Sequence, residues 1–458
     1  MLQPTLSPAR ADRGFTLVEV LVGLVLGMIG IIIMYQVFQV FEAQRRTTVS
    51  GGNAQTSGHI AMFAIERQVR LAGLGMIYVA RPGEEEYEGR ATCPLGIRTY
   101  SASGGGLGWA GAADRPVVPV QVTDGGAGGS DSFTLVYGPS AMAGAPGELR
   151  ASPVNAATLG AGVQVASAPF VNATASPPVN AVYKVGDIVL IAQPVSPLTI
   201  GQAKHCVRLK VTAVEAIEVS PGRYQARLRF DAGAGNDENP PAGEYASFLP
   251  AAGYTLDADP RTVITPLGGS LVTAQFRLNA QQQLLQNDVP IADGVVSMQV
   301  EYGIGPRRGE LGCNSPNLSE PACQVVKAWT SAVNYDGVDW ATIATAPWPA
   351  TAAERQQRLE NISRIKAVRI ALVMRSQNLE RDPLYGAGLE IAPKAGCGAA
   401  GDVVNSGGLK LCAWRDPAGG TAVPLIDLTG TPDWDRYRYR VYETVVPLRN
   451  VIWSSRGA

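Results

Sequence analysis

Apolar positions along the chain change their spacing twice. From Phe15 to Phe41 the run is almost unbroken, and Glu19 is its one charged residue. It exceeds the roughly 20 apolar residues that a helix needs to cross a bilayer. Residues 42–58, "EAQRRTTVSGGNAQTSG", are polar, with Gly51, Gly52 and Gly58 as positions where a helix can bend or melt. "HIAMFAIERQVRLAGLG" (59–75) then regains a helical period, with Met62, Ile65, Val69 and Ala72 on one stripe. Gly73 and Gly75 suit a helix stop. Two versions fit this pattern: one helix from Phe15 to Ala72, about 85 Å long, or two helices hinged at Gly51-Gly52.

Beyond residue 75 the spacing is that of strands. Candidates are 117–123, 132–138, 186–193, 206–216, 223–230, 270–278, 294–304, 364–376 and 435–449. In 364–376, Val368, Ile370 and Leu372 alternate with Arg369, Ala371 and Val373, the pattern of a half-buried strand. Residues 139–180 are small, polar or proline-bearing and read as a long excursion. No repeat of 20–50 residues is present, which excludes solenoids and propellers. A helix followed by many short strands predicts an α+β chain.

Composition adds a compartment. Of 458 residues 46% are hydrophobic and 17% charged, enough for a sizeable core, and the net charge of -1 leaves no electrostatic footprint for nucleic acid. Six cysteines (Cys93, Cys206, Cys313, Cys323, Cys397 and Cys412) accompany only two histidines, His59 and His205, so zinc spacings cannot be built. An even count without metal partners reads as disulfides in an oxidising compartment. The short loops favour Cys313 with Cys323 and Cys397 with Cys412, leaving Cys93 with Cys206. Other pairings remain open.

Glu19 decides among readings of the N-terminus. A cleaved signal peptide would carry a shorter apolar region and a small-residue cleavage site. A plain anchor gives no reason for a carboxylate, which costs roughly 2.5–3.5 kcal/mol at the bilayer centre on insertion scales. "RGFTLVEV" (13–20) resembles the prepilin-peptidase signature of type IV pilins and type II secretion pseudopilins. The resemblance implies cleavage after Gly14, N-methylation of Phe15, and an acid at the fifth mature position, Glu19. Such an acid would neutralise the new terminal amine, most usefully that of a neighbouring subunit, and set the register of helix packing.

Later segments narrow the resemblance. "FAIERQVRLAGLG", "GDIVLIAQ", "DVPIADGVVSMQVEYGI", "KAVRIALVMRSQN" and "YRVYETVVPLRN" occur in the order seen in PilW-type minor pilins. The resemblance implies a type IV pilin fold, a long N-terminal α-helix packed on an antiparallel β-sheet head. The head's size adds the expectation of an extra β-rich subdomain. The expected division is a cleaved leader at 1–14, a transmembrane and fibre-core half-helix at 15–41, a periplasmic half at 42–75 and a head at 76–458. Inner-membrane insertion with a periplasmic head, then a place in the pilus near its tip, would follow. Expected partners are the prepilin peptidase, other minor pilins, the major pilin and a tip adhesin.

Other chemistry finds little footing. No G-x-S-x-G, H-E-x-x-H or G-K-[ST] occurs. "GLGWAG" (106–111) lacks the flanking strand and helix of a dinucleotide loop. His205 beside Cys206 reads as a surface histidine next to a disulfide. Asp231, Asp237 and Glu238 could hold calcium, but without EF-hand spacing they read as a solvated loop. The comb Arg436, Arg438, Arg440 reads as the wet face of a strand rather than a nucleic-acid track. Neither cofactor nor catalytic residue is expected. A J-type pseudopilin of type II secretion is the alternative within the class, and a membrane-tethered periplasmic enzyme or ligand-binding protein the alternative outside it.

Overall fold

A single helix, Leu17–Val69, runs unbroken for 53 residues, about 80 Å at 1.5 Å per residue. This computed structural model describes residues 16–76, 93, 96–100, 118–126, 129–140, 147–149, 153–166, 169–193, 204–231, 238–241, 243–249, 255–256, 262–314, 321–331, 335–343, 346, 349–380, 410–412, 425–428 and 432–450. The hinge version at Gly51-Gly52 is not the one adopted. The head holds the helix on both sides of the glycine pair: the Asn378 amide donates to Ser50 Oγ at 3.0 Å, and Asn53 Nδ2 to Gln377 Oε1 at 3.4 Å. The helix stops at Val69, and residues 70–76 are turns in which Gly73 has φ +78°, a conformation that side chains disfavour.

A four-stranded antiparallel sheet lies against the second half of the helix. Its order is Ala328–Thr330, Val295–Ile304, Ile365–Arg375, Tyr439–Pro447. Beside it, Val289–Asp293, Gln283–Gln286, Val272–Leu278, Ser132–Tyr137 and Val120–Thr123 form a five-stranded antiparallel sheet in that order. One core joins all three parts. Ala61, Met62, Ile65, Val69 and Ala72 pack with Val368, Ile370 and Leu372 of the first sheet and Phe133, Leu135 and Phe276 of the second.

Strand Ile365–Arg375 is buried on both faces, not half-buried as its alternation suggests. Arg369 reaches Glu301 on the adjacent strand and lies 5.1 Å from the Trp329 ring. A buried charge persists when paired, so a polar position can still face a dry layer. Arg364, 1% exposed, is held similarly by Gly305 O at 3.0 Å and Asp336 Oδ2 at 2.7 Å. Helix Ala352–Ser363 was not foreseen, although its Thr351-x-x-Glu354 start is a capping pattern.

The extra β-rich subdomain is an insertion. Tyr137 pairs with Val272 and Phe133 with Phe276, so two neighbouring strands enclose everything between them. That stretch builds a second pair of sheets, to which Ile97–Arg98, from before the insertion, adds one edge strand. One, in order, is Ile97–Arg98, Cys206–Lys210, Ile188–Ala192, Val263–Gly268, Gly147–Glu148; the other is Ala213–Ser220, Arg223–Arg229, Val163–Val165. The predicted strand 206–216 is therefore two. At Val211-Thr212 the chain crosses between sheets, with the Val211 amide donating to Asp187 O and that of Thr212 to Arg229 O. The excursion 139–180 belongs to this unit and contains helix Ala156–Ala161. Strand Ile188–Ala192 serves two cores: Val189 and Ile191 face the subdomain interior, whereas Ile188 and Leu190 pack with Met76, Val136 and the cystine.

Candidate functional site

Along its first half the helix is not buried by the described head residues. Leu17–Glu42 is 26 residues long, apolar enough to span a bilayer, and no part of it is buried. Thr16 caps it with a reciprocal pair. The Glu19 amide donates to Thr16 Oγ1 at 3.3 Å, and the Thr16 amide donates to Glu19 Oε2 at 2.9 Å. The pair satisfies otherwise orphaned donors of the first turn. It also folds the carboxylate back toward the N-terminus. Gly14 and Phe15 lie outside the described residues. Glu19, Gly23, Gly27 and Gly30 follow one another at helical spacings of four, four and three, and therefore share a face. A Cβ on any of these glycines would meet nothing within 4 Å, so the face is a shallow open groove beginning at the carboxylate.

The second half of the helix is clasped by the last strand. Gly58 lies so close to the Tyr442 ring that a Cβ there would be 2.6 Å from it. His59 meets the same ring edge-on at 5.3 Å, and Thr444 Oγ1 donates to Glu66 Oε1 at 2.6 Å. Asn450 Nδ2 donates to the Arg70, Leu71 and Ala72 carbonyls at 3.3, 3.3 and 3.0 Å. They lie just past the helix end, where carbonyls lose their intrahelical donors, and Leu71 O also accepts from the Leu74 amide at 3.0 Å. "RLAG" and "VPLRN" thus meet in space, which their separate positions in the chain did not reveal.

These contacts orient the head. Tyr442, Thr444 and Asn450 meet the helix in ascending order, so strand Tyr439–Pro447 runs the same way as the helix. The Gly73 amide donates to Val136 O and that of Gly138 to Leu74 O, both at 2.8 Å. The insertion therefore departs at the end opposite the apolar half. Strand Val295–Ile304 also finishes there, since Ile304 pairs with Ile365, and the Cys313–Cys323 loop follows it.

Two bridges join described cysteines, Cys93 to Cys206 and Cys313 to Cys323. Cys397 is outside the described residues, and with it the Cys397–Cys412 bridge. Residues 106–111 and Asp237 are outside them too. Asp231 pairs with Arg229 at 3.3 Å, and Glu238 with Arg208 at 3.1 Å and Lys210 at 3.7 Å, so both acids serve ion pairs. Among the described residues no three His, Cys, Asp or Glu side chains are grouped to hold a metal. The arginine comb is engaged within the head: Arg438 bonds Glu380 at 2.7 Å and Arg440 lies 5.8 Å from the Tyr442 ring.

Comparison with known proteins now bears on this geometry. Residues 254–450 match the family of the Type IV Pilus-assembly protein W, PilW, and residues 9–35 match the prokaryotic N-terminal methylation motif. No curated protein and no solved structure matches the chain. The PilW match takes in the central sheet, the returning strands of its neighbour and Asn450; the methylation match takes in Glu19 and the glycine groove. An apolar helix carrying that motif fits an inner-membrane anchor that later joins a pilus. These two signatures, on a β-rich head clasping a long helix, support a PilW-type minor pilin of the type IV pilus.

Proposed function

We propose that the protein is a non-enzymatic minor pilin, cut after Gly14 by the prepilin peptidase and N-methylated at Phe15. It helps prime pilus assembly and sits at the tip with other minor pilins. Residues 1–14 are the leader, 15–41 the membrane and fibre-core half, 42–75 the periplasmic half, and 76–458 the head. The observation that carries this reading is the bare apolar half-helix with one carboxylate turned back toward the cleavage point. Cleavage places a cationic amine within about one helical turn of Glu19. In a low dielectric that amine and a neighbour's Glu19 attract strongly, while helices close on the Gly23, Gly27 and Gly30 groove to gain dispersion contacts.

The tip assignment is supported by the placement of the bulk. Both the insertion and the Cys313–Cys323 loop lie at the far end, where a subunit stacked further along a fibre would meet them. A tip adhesin would dock on the same end. The test is the intact mass and N-terminal sequence of the membrane-extracted protein, with Glu19→Val alongside. The expected result is a chain beginning at a methylated Phe15 and a variant that inserts and is cleaved but lowers pilus number severalfold. A chain retaining Met1, or normal piliation in the variant, contradicts the reading.

A further inference from the structure

Where the two antiparallel sheets of the core meet, Asp131 bridges them. Its amide donates to Met298 O at 2.8 Å, and its carboxylate accepts from the Val300 amide at 2.7 Å and the Gly125 amide at 2.9 Å. Ser130 Oγ accepts from the Met298 amide at 3.3 Å, and Gln299 Nε2 donates to Gly129 O at 2.8 Å. These contacts cover the margin of Val295–Ile304 that Ala328–Thr330 leaves open, since that strand pairs only with Tyr302–Ile304. Tyr302 completes the joint from the other side, its hydroxyl accepting from the Val122 amide at 2.6 Å. Asp131 itself is 3% exposed.

The charges around it are mostly negative. Asp124 lies on the same loop and Glu301 on the facing strand, and both raise its affinity for a proton; Arg369 is already committed to Glu301. Burial is the larger influence. Together they outweigh the two amide bonds and lift the carboxyl from 3.8 to about 6. The group is therefore poised near the pH of mildly acidic surroundings.

We propose that this joint is an acid-tightened mount for the inserted subdomain. Strand Ser132–Tyr137 starts at Asp131 and ends where the insertion departs, so the joint ties the insertion's stem to the sheet that clasps the helix. In acid the side chain is neutral, and the joint is free of a buried charge facing Asp124 and Glu301. Toward neutrality the proton leaves, and the stem is held against that repulsion.

The sign follows from linkage. A raised carboxyl binds its proton more tightly in the folded chain than in the unfolded one, so this contribution weakens as pH rises from the unfolded value through about 6. With those two values, the folding equilibrium constant falls about tenfold between about pH 5 and about pH 7.5 on this account. The test is denaturant unfolding of the detergent-solubilised full chain at both pH values, for wild type and Asp131→Asn. Loss of most of that decline in the variant supports the proposal; an equal decline in both overturns it. Should the variant not fold, hydrogen exchange at the Val300 amide of the wild type decides. Corrected for intrinsic rate, its protection should fall as pH rises through about 6, and protection flat across that range overturns the proposal.

Discussion

One helix lives in two environments here. Residues 17–42 present apolar side chains on every face and are not buried by the described part of the head, whereas residues 50–72 have a dry side and a wet side. Ile32 is 56% exposed and Ile65 is 0% exposed. The difference teaches which free energy each half answers to. An all-round apolar helix gains little from a head that does not bury it, so its partner must be lipid or other helices. The lower half stores association energy, and the upper half stores folding energy.

The sharpest way to break that division is a matched truncation. Ile65→Ala removes a side chain from the centre of the helix–sheet core and should cost about 2–5 kcal/mol of head stability. Ile32→Ala removes the same atoms and should leave head unfolding unchanged in detergent, its effect appearing only in assembly. Denaturant unfolding followed by tryptophan fluorescence reads the first, and pilus yield the second. A shared loss of head stability would mean that the halves are not separable.

Much of this was legible because it is local. "RGFTLVEV" is eight residues long, and the Met62, Ile65, Val69, Ala72 stripe is one helical face, so short windows hold both. The insertion's existence was foreseen from head size. Its limits were not, because they depend on Tyr137 finding Val272. The polar alternation of Ile365–Arg375 misled for a related reason: only the fold shows that Glu301 and Trp329 wait for Arg369. Asn450 lies past the last strand, Tyr439–Pro447, close to the buried Leu448, and nothing near it in the chain marks it as a cap for a helix that ended at Val69.

That cap gives the next largest effect. Asn450→Ala removes the side-chain donor to the Arg70, Leu71 and Ala72 carbonyls, of which Leu71 O keeps the Leu74 amide, and should cost about 1–2 kcal/mol. Asn450→Asp should cost more, because it sets a negative charge against the negative end of the helix dipole. Thermal unfolding of the two variants side by side checks the order. If aspartate is the milder change, the side chain is not acting as a donor to the helix end.

The smallest effect has the most informative sign. Replacing a helical glycine by alanine ordinarily stabilises by about 1 kcal/mol. At Gly52 a Cβ would meet nothing within 4 Å, so Gly52→Ala should raise the unfolding midpoint. At Gly58 the same methyl would press on the Tyr442 ring at 2.6 Å. Overpacking costs about 1–3 kcal/mol, so Gly58→Ala should lower the midpoint or leave it unmoved despite the better helix former. Adding Tyr442→Ala should then restore the ordinary gain from Gly58→Ala, measured against the Tyr442→Ala background. Gly51 and Gly52 are weak points that the head has braced, whereas Gly58 is where the head needs the helix to be thin. A stabilising Gly58→Ala in the wild-type background would show the ring swinging aside, and the clasp would then rest on Thr444 and Asn450.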